Sequence, residues 1–170
     1  GICGLERLEQ HADAEVVLKS LLADDPHRDR RQFHLIDLQG RTACWTGADC
    51  GGWAGHRHYQ DVSVAGNYLV GERVLVAMEQ VFFDSDPAWK LGRRLMHALQ
   101  AGEAAGGDQR LPTSTSAALQ ISGEAAFPLL DLRVDFRDDA VAELMHVYEH
   151  SQDLWAQQWR DELAEAPVLN

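Results

Sequence analysis

Residues 32–46 read QFHLIDLQGRTACWT and carry the clearest fold signal in the chain. Two β-type runs, 32–38 and 41–46, flank Gln39-Gly40, a dipeptide typical of a tight turn. Runs joined in this way pair antiparallel, so the stretch predicts a β-hairpin.

Helical patterns surround this hairpin in the sequence. Ile2 to Gln10 repeats apolar residues at helical spacing, and Asp13 is placed to cap a second helix. Four glycines mark residues 47–60 as a loop, and Gly66-Asn67 is predicted to end the strand that follows. Helices combined with antiparallel strands indicate the α+β class. Three further helices are predicted: one at 72–84, one that starts after Asp86-Pro87, and one of about 25 residues that starts at Asp138 or Asp139. Further strands are predicted at 61–65, 116–122 and 129–135.

Composition limits the classes of function. The chain has 170 residues and 18.9 kDa, which suits one domain. Its 15 basic and 27 acidic side chains give a net charge of -12, which argues against nucleic acid and anionic membranes as partners. No apolar run reaches membrane-spanning length and no secretory signal opens the sequence, so the cytoplasm is expected. The chain has three cysteines, an odd number that argues against a fold built on disulfide bonds, so we expect reduced thiols.

The start of the sequence carries its own expectation. Gly1 is followed directly by Ile2, Leu5 and Leu8, an apolar stripe at helical spacing. The sequence therefore predicts that structured protein precedes Gly1.

A first candidate site lies in the glycine-rich stretch 102–110. Glycines let a backbone approach a ligand closely, and Asp108 with Arg110 could bind and polarise a polar substrate. A helix end with a glycine cap and a surface ion pair explains the same residues. The sequence leaves both interpretations open.

Asn67 is a second candidate. A short amide side chain at a strand end can donate to a developing oxyanion or hold a substrate carbonyl group. The alternative is an Asx-turn, in which the side chain bonds its own backbone.

Other polar clusters are weaker. Cys44, Cys50, His56 and His58 are possible zinc ligands, but their spacing matches no common structural zinc pattern, so no metal or cofactor is predicted. The hydroxyls of residues 113–116 lack a nucleophile-elbow motif and indicate a turn.

Trp155 and Trp159 lie one helical turn apart in the last predicted helix. This spacing is more typical of packing or a subunit contact than of a cofactor site. We therefore expect a homodimer with these two residues in its interface.

With these segments in order, the chain resembles the family called domain of unknown function 1028, which is placed among the N-terminal-nucleophile hydrolase-like folds. The resemblance runs through Arg31-Gln32, residues 37–41, Thr46-Gly47, residues 53–57, Gly66-Asn67 and residues 101–110, 116–119 and 131–135.

The resemblance implies a four-layer αββα sandwich, incomplete at its N-terminus, over residues 1–150, with 151–170 as a C-terminal helical extension. It also implies a Thr, Ser or Cys nucleophile at the mature start of the protein. Gly1 has no side chain for that role and Cys3 lies inside the predicted helix, so the nucleophile is expected to precede Gly1. Phe136-Arg137 stands where relatives carry Asp-His, which removes one family histidine.

Two hypotheses of function follow. The first is a hydrolase-like protein that acts on an amide or similar C–N bond of a small polar substrate, with Asn67, Asp108 and Arg110 orienting the substrate. The second is a non-catalytic protein of the same fold that binds a small ligand or assembles as an oligomer.

Overall fold

A computed structural model describes residues 2–9, 13–110, 112–123 and 127–165. Within these ranges the chain is a mixed α/β structure with six α-helices and three two-stranded antiparallel sheets. In chain order the elements are α1 (Ile2–Glu9), α2 (Ala14–Ala23), β1 (Gln32–Ile36), β2 (Thr42–Thr46), β3 (Trp53–Tyr59), β4 (Val62–Leu69), α3 (Arg73–Asp84), α4 (Leu91–Ala104), β5 (Ala117–Ile121), β6 (Leu130–Val134), α5 (Ala140–Ser151) and α6 (Leu154–Glu165).

The hairpin predicted from residues 32–46 is confirmed. β1 and β2 pair antiparallel from Gln32 opposite Thr46 to Ile36 opposite Thr42. Because side chains alternate along a strand, the hairpin has one apolar and one polar face. The apolar face packs against α1 and α2 in a core made of Leu8, Ala14, Val17, Leu18, Phe33, Leu35, Ala43 and Trp45.

Asp37 fixes the turn of this hairpin against α2. Its side chain is buried and accepts hydrogen bonds from the backbone N–H groups of Ala14, Gln39 and Arg41 and from Nε of Arg41 at 2.7 Å. Burial alone would raise the pKa of Asp37, but these donors outweigh it and the pKa lies below its usual value. Asp13 caps α2 as predicted, accepting from Glu15 N at 2.8 Å.

The lowered pKa of Asp37 has a consequence for acid stability. A carboxyl group with a depressed folded-state pKa stabilises the fold above its unfolded pKa, about 3.9, and that contribution is lost as the pH falls through the folded-state value. Replacing Asp37 with asparagine is expected to lower the free energy of unfolding equally at pH 7 and pH 5, and less below about pH 4. Urea unfolding of both proteins across this range measures the difference.

The matched control for Asp37→Asn is Asp135→Asn, because the Asp135 side chain is 76% exposed. We expect this variant to unfold like the parent at every pH. A difference between parent and Asp37→Asn that stays constant down to pH 3 would contradict the role given to the ionised carboxylate.

The prediction of a loop over residues 47–60 is wrong for its second half. Residues 53–59 form β3, which pairs with β4. Position 55 of this strand requires glycine, because a Cβ atom there would lie only 2.6 Å from the ring of Trp53 and would clash with it. The glycine makes room for an indole ring, a tertiary reason that a count of glycines does not reveal.

The predicted end of β4 at Gly66-Asn67 is also wrong, because the strand continues to Leu69. Its outer face packs on α3 through Val64, Leu69, Val74 and Leu75. The two hairpins contact each other, β1 against β4 and β2 against β3.

The third hairpin, β5–β6, packs on α4 and α5. Its core includes Met96 and Leu144, both fully buried, with Leu119, Met145 and Tyr148 around them. The strands at 117–121 and 130–134 lie within the two ranges predicted from the sequence.

The long C-terminal helix predicted from residue 138 or 139 is interrupted. α5 ends at Ser151 and α6 begins at Leu154, because the N–H groups of Gln152 and Asp153 bond carbonyls only three residues back. In the described part of the chain, no helix is both long and apolar enough to cross a membrane.

Candidate functional site

The polar faces of the first two hairpins meet and form what we call the inter-sheet strip. These faces follow from the same two-residue alternation that places the apolar side chains against the helices. The members of the strip are Gln32, His34, Thr42, Cys44 and Thr46 on β1–β2, and His56, His58, Ser63 and Asn67 on β3–β4.

Gln32 is the centre of one end of the strip. Its Nε2 group lies 3.0 Å from Thr46 Oγ1 and 3.0 Å from the carbonyl oxygens of Gly55 and Gly66. Its Oε1 atom accepts a hydrogen bond from Asn67 Nδ2 at 3.1 Å. One amide side chain on β1 is therefore bonded to β2, β3 and β4, and it fixes the orientation of Asn67.

Asn67 does not form the Asx-turn considered as an alternative. Its side chain is held from another strand, and the residue is exposed. One Nδ2 hydrogen is used by Gln32, which leaves the second hydrogen and the Oδ1 atom available to a ligand.

His56 continues the chain of hydrogen bonds from Gln32. Burial, with a smaller contribution from His58, lowers the pKa of His56, so its ring is neutral at pH 7. The Thr46 hydroxyl lies 3.0 Å from Gln32 Nε2 and 2.8 Å from Nδ1 of His56, so it connects the amide of Gln32 to the imidazole.

The contacts of His58 fix its tautomer, with a proton on Nδ1. Thr42 Oγ1 donates its single hydrogen to Tyr59 O at 2.8 Å, so it accepts from Nδ1 of His58 at 3.0 Å. Both imidazoles are thus fixed by threonines, with their rings 6.0 Å apart.

Cys44 lies in the same strip. Burial raises the pKa of its thiol, and a hydrogen bond with Ser63 offsets this only in part. The thiol is therefore protonated at pH 7 and is a poor nucleophile.

Asp108 and Arg110 lie beside the end of β4 that carries Asn67. Asp108 forms a β-bridge with Leu69, and Gln109 N donates to Tyr68 O at 2.7 Å. Arg110 donates from Nε and Nη2 to the Asp108 carboxylate, which holds the pKa of Asp108 below its usual value. The structure shows the helix end and ion pair of the second interpretation, with Gly106 and Gly107 at positive φ.

Tyr68 links the two parts of this region. It follows Asn67 directly, and the Arg110 guanidinium lies 4.1 Å from the centre of its ring. Its φ of 54° is in the left-handed region, where a bulky residue stores about 1–3 kcal/mol of strain. A Cβ atom on Gly51 would lie 2.1 Å from the Tyr68 ring, so only glycine fits beneath it.

The family model of DUF1028, a family of unknown function, matches residues 1–144. The chain belongs to the DUF1028 family. Among solved structures, the crystal structure of protein SPO2555 from Silicibacter pomeroyi, placed in the same family, is similar at 28% identity and a TM-score of 0.83. The similarity covers 94% of this chain and 70% of that one. No curated protein matches the chain.

The remaining predicted candidates of this DUF1028 chain lie elsewhere. Ser114 donates from Oγ and from its backbone N to the Glu103 carboxylate, both at 2.6 Å, and Thr113 donates to the carbonyl of Asp138. Cys3 lies exposed on α1, and Cys50 contacts the Arg31 carbonyl. No group of three His, Cys, Asp or Glu side chains in the described ranges is arranged to hold a metal ion.

Reasoning from residue types did not single out Gln32, Thr46 and Tyr68 of this DUF1028 chain. A signal existed for two of them, because Gln32 and Thr46 face each other across the predicted hairpin on its polar side. Nothing local marks Tyr68, whose role depends on Gly51 and Arg110 from distant parts of the chain.

Proposed function

We propose that this protein is hydrolase-like and acts on an amide or similar C–N bond of a small polar substrate. Asn67, Asp108 and Arg110 orient that substrate. The observation that carries the proposal is the position of Asn67, held by Gln32 where two hairpins meet and joined through Tyr68 to the Asp108–Arg110 pair.

The chemistry of these groups suits an amide substrate. The second Nδ2 hydrogen of Asn67 can donate to a carbonyl oxygen as negative charge develops there, while Oδ1 can accept from the substrate N–H. Asp108 and Arg110 neutralise each other, and the Arg110 side chain remains 57% exposed. Such a pair favours a polar substrate of low net charge.

The proposal includes the αββα sandwich that the resemblance implies. It is supported by the order of contacts, in which α2 packs on β1–β2, β1–β2 on β3–β4, and β4 on α3. In such a sandwich the inter-sheet strip would lie between the first two hairpins, where their polar faces meet. We place the protein in the cytoplasm on the basis of its composition.

The roles proposed for this chain are binding and orientation. Within the strip the Cys44 thiol is protonated, and the Thr42 hydroxyl donates to the carbonyl oxygen of Tyr59. We assign no nucleophile within the strip.

The test is turnover of primary amides, N-acyl amino acids and ureas by the natural protein, measured as released ammonia or amine. Asn67→Ala is expected to lower kcat/KM by about 100-fold to 1000-fold, the effect of removing one oxyanion donor. Asp108→Ala releases Arg110 and is expected to raise KM. Gln39→Ala, which removes an exposed amide at the far hairpin tip, is expected to match the parent.

Two outcomes would count against this assignment. Unchanged turnover in both Asn67→Ala and Asp108→Ala on every substrate that the parent cleaves would remove these residues from the site. A parent protein that cleaves none of the panel would favour a non-catalytic role.

The non-catalytic alternative is a ligand-binding or oligomeric protein, and an exposed apolar row on α6 favours it. Leu154, Trp155 and Trp159 are 78%, 67% and 59% exposed. We propose that Trp155 and Trp159 lie in a homodimer interface. Sedimentation velocity should show that the parent protein is a dimer and that the double variant Trp155→Ser/Trp159→Ser is a monomer. A monomeric parent would contradict this proposal.

A further inference from the structure

A cavity lies away from the inter-sheet strip, between the start of α4 and the second half of α5. Its volume is about 580 Å³, within the range of small-molecule sites. α4 and the turn before it contribute Trp89, Lys90, Arg93 and His97, and α5 contributes Met145, Tyr148 and Glu149.

The basic residues share one face of a helix. Lys90, Arg93 and His97 are spaced by three and four residues, so their side chains point in the same direction. They face the cavity in a chain whose net charge is -12. The local charge is thus opposite in sign to that of the whole protein.

Lys90 and Arg93 are positioned without being neutralised by a carboxylate among the described residues. The Arg93 guanidinium lies 3.9 Å from the centre of the Trp89 ring, which also stands 5.1 Å from the His97 ring. Lys90 Nζ is bound to the neutral side-chain oxygens of Gln152 at 3.1 Å and Gln157 at 2.9 Å. Among the described residues, neither Lys90 nor Arg93 has a carboxylate partner.

This arrangement contrasts with the other arginines of the chain. Most of them are bound to a carboxylate. The Arg93 guanidinium instead lies over the Trp89 ring, with no side-chain hydrogen bond to any described residue. A guanidinium placed in this way is suited to binding a planar or tetrahedral anion. The arginines paired with carboxylates are Arg7, Arg31, Arg41, Arg57, Arg110, Arg133 and Arg137.

Glu149 limits the kind of anion that fits. Its exposed carboxylate lines the same cavity, so a ligand needs a hydrogen-bond donor on that side. The buried Met145 and Tyr148 leave an apolar floor between the acidic and basic groups.

We propose that this cavity binds a small organic anion, whose carboxylate or phosphate group contacts Lys90, Arg93 and His97 and whose hydroxyl or ammonium group contacts Glu149. The site is separate from the strip that holds Asn67, so it does not depend on the hydrolase proposal.

The experiment is isothermal titration calorimetry of the natural protein at low ionic strength. L-Malate probes the carboxylate, glycerol 3-phosphate probes the phosphate, and glycerol is the uncharged reference. Saturable binding of at least one anion, with none of glycerol, is expected. Arg93→Gln and Lys90→Gln should each weaken binding at least about tenfold, equivalent to about 1.4 kcal/mol.

Arg133→Gln is the matched control, because it removes one positive charge from the exposed face of β6, where Arg133 pairs with Asp135. It is expected to bind within twofold of the parent, and Arg93→Lys is expected to recover part of the lost affinity. Circular dichroism establishes that each variant is folded. No saturable binding of either anion, or equal weakening by Arg93→Gln and Arg133→Gln, would overturn the proposal.

Discussion

Replacing Gln32 with leucine is expected to lower the free energy of unfolding by about 2–4 kcal/mol. The variant keeps the volume of the side chain but loses the donors to Thr46, Gly55 and Gly66 and the acceptor for Asn67. The groups left behind on Thr46, Gly55 and Gly66 are partly buried, so water replaces their bonds incompletely. Urea unfolding measured by circular dichroism gives the difference.

Gln60→Leu is the matched control for Gln32→Leu. Gln60 is exposed and makes its main side-chain bond to a backbone carbonyl at the hairpin tip, at 2.7 Å. We expect this variant to lie within about 0.5 kcal/mol of the parent. Equal losses in both variants would show that Gln32 does not join the hairpins as described.

Leu144→Ala is expected to cost about 2–5 kcal/mol, the range for a cavity left in a well-packed core. Leu144 is fully buried and lies in the core that joins α4, α5 and the β5–β6 hairpin. Because this core lies apart from the inter-sheet strip, the variant should lose stability but keep any catalytic activity at low temperature.

Leu38→Ala makes the same chemical change at a site that is 74% exposed, and we expect it to alter the free energy of unfolding by less than about 0.5 kcal/mol. Thermal unfolding of the two variants side by side measures the contrast. If Leu144→Ala were as mild as Leu38→Ala, the third hairpin would not share a tightly packed core with α4 and α5.

Helices α1 to α3 and the first hairpin could be predicted from the sequence because their signals are local, whereas α4 begins at Leu91 and not directly after Asp86-Pro87. Asp13 caps the helix it precedes, and the apolar side chains of 32–46 alternate as a half-buried strand requires. β3 was missed because its glycine serves a distant requirement, the space taken by Trp53. The break between α5 and α6 was missed because neither glycine nor proline marks it.

Only part of the candidate site could be predicted from the sequence, for a similar reason. Asn67 could be named from its residue type, but its partner Gln32 is 35 residues away in the sequence. Asp108 and Arg110 are close in sequence, and their pairing was foreseen as one alternative. The contact of Arg110 with Tyr68 depends on the bridge between Asp108 and Leu69, which joins segments far apart in the chain.

The central claim is that Asn67 orients the substrate and that Gln32 holds Asn67 in position for this. A double-mutant cycle on kcat/KM in the natural protein, with Gln32→Leu, Asn67→Ala and their combination, tests it most directly. We predict that the double variant loses no more activity than Asn67→Ala alone, because Gln32 acts through Asn67. Fully additive losses, or an Asn67→Ala variant as active as the parent, would contradict the claim.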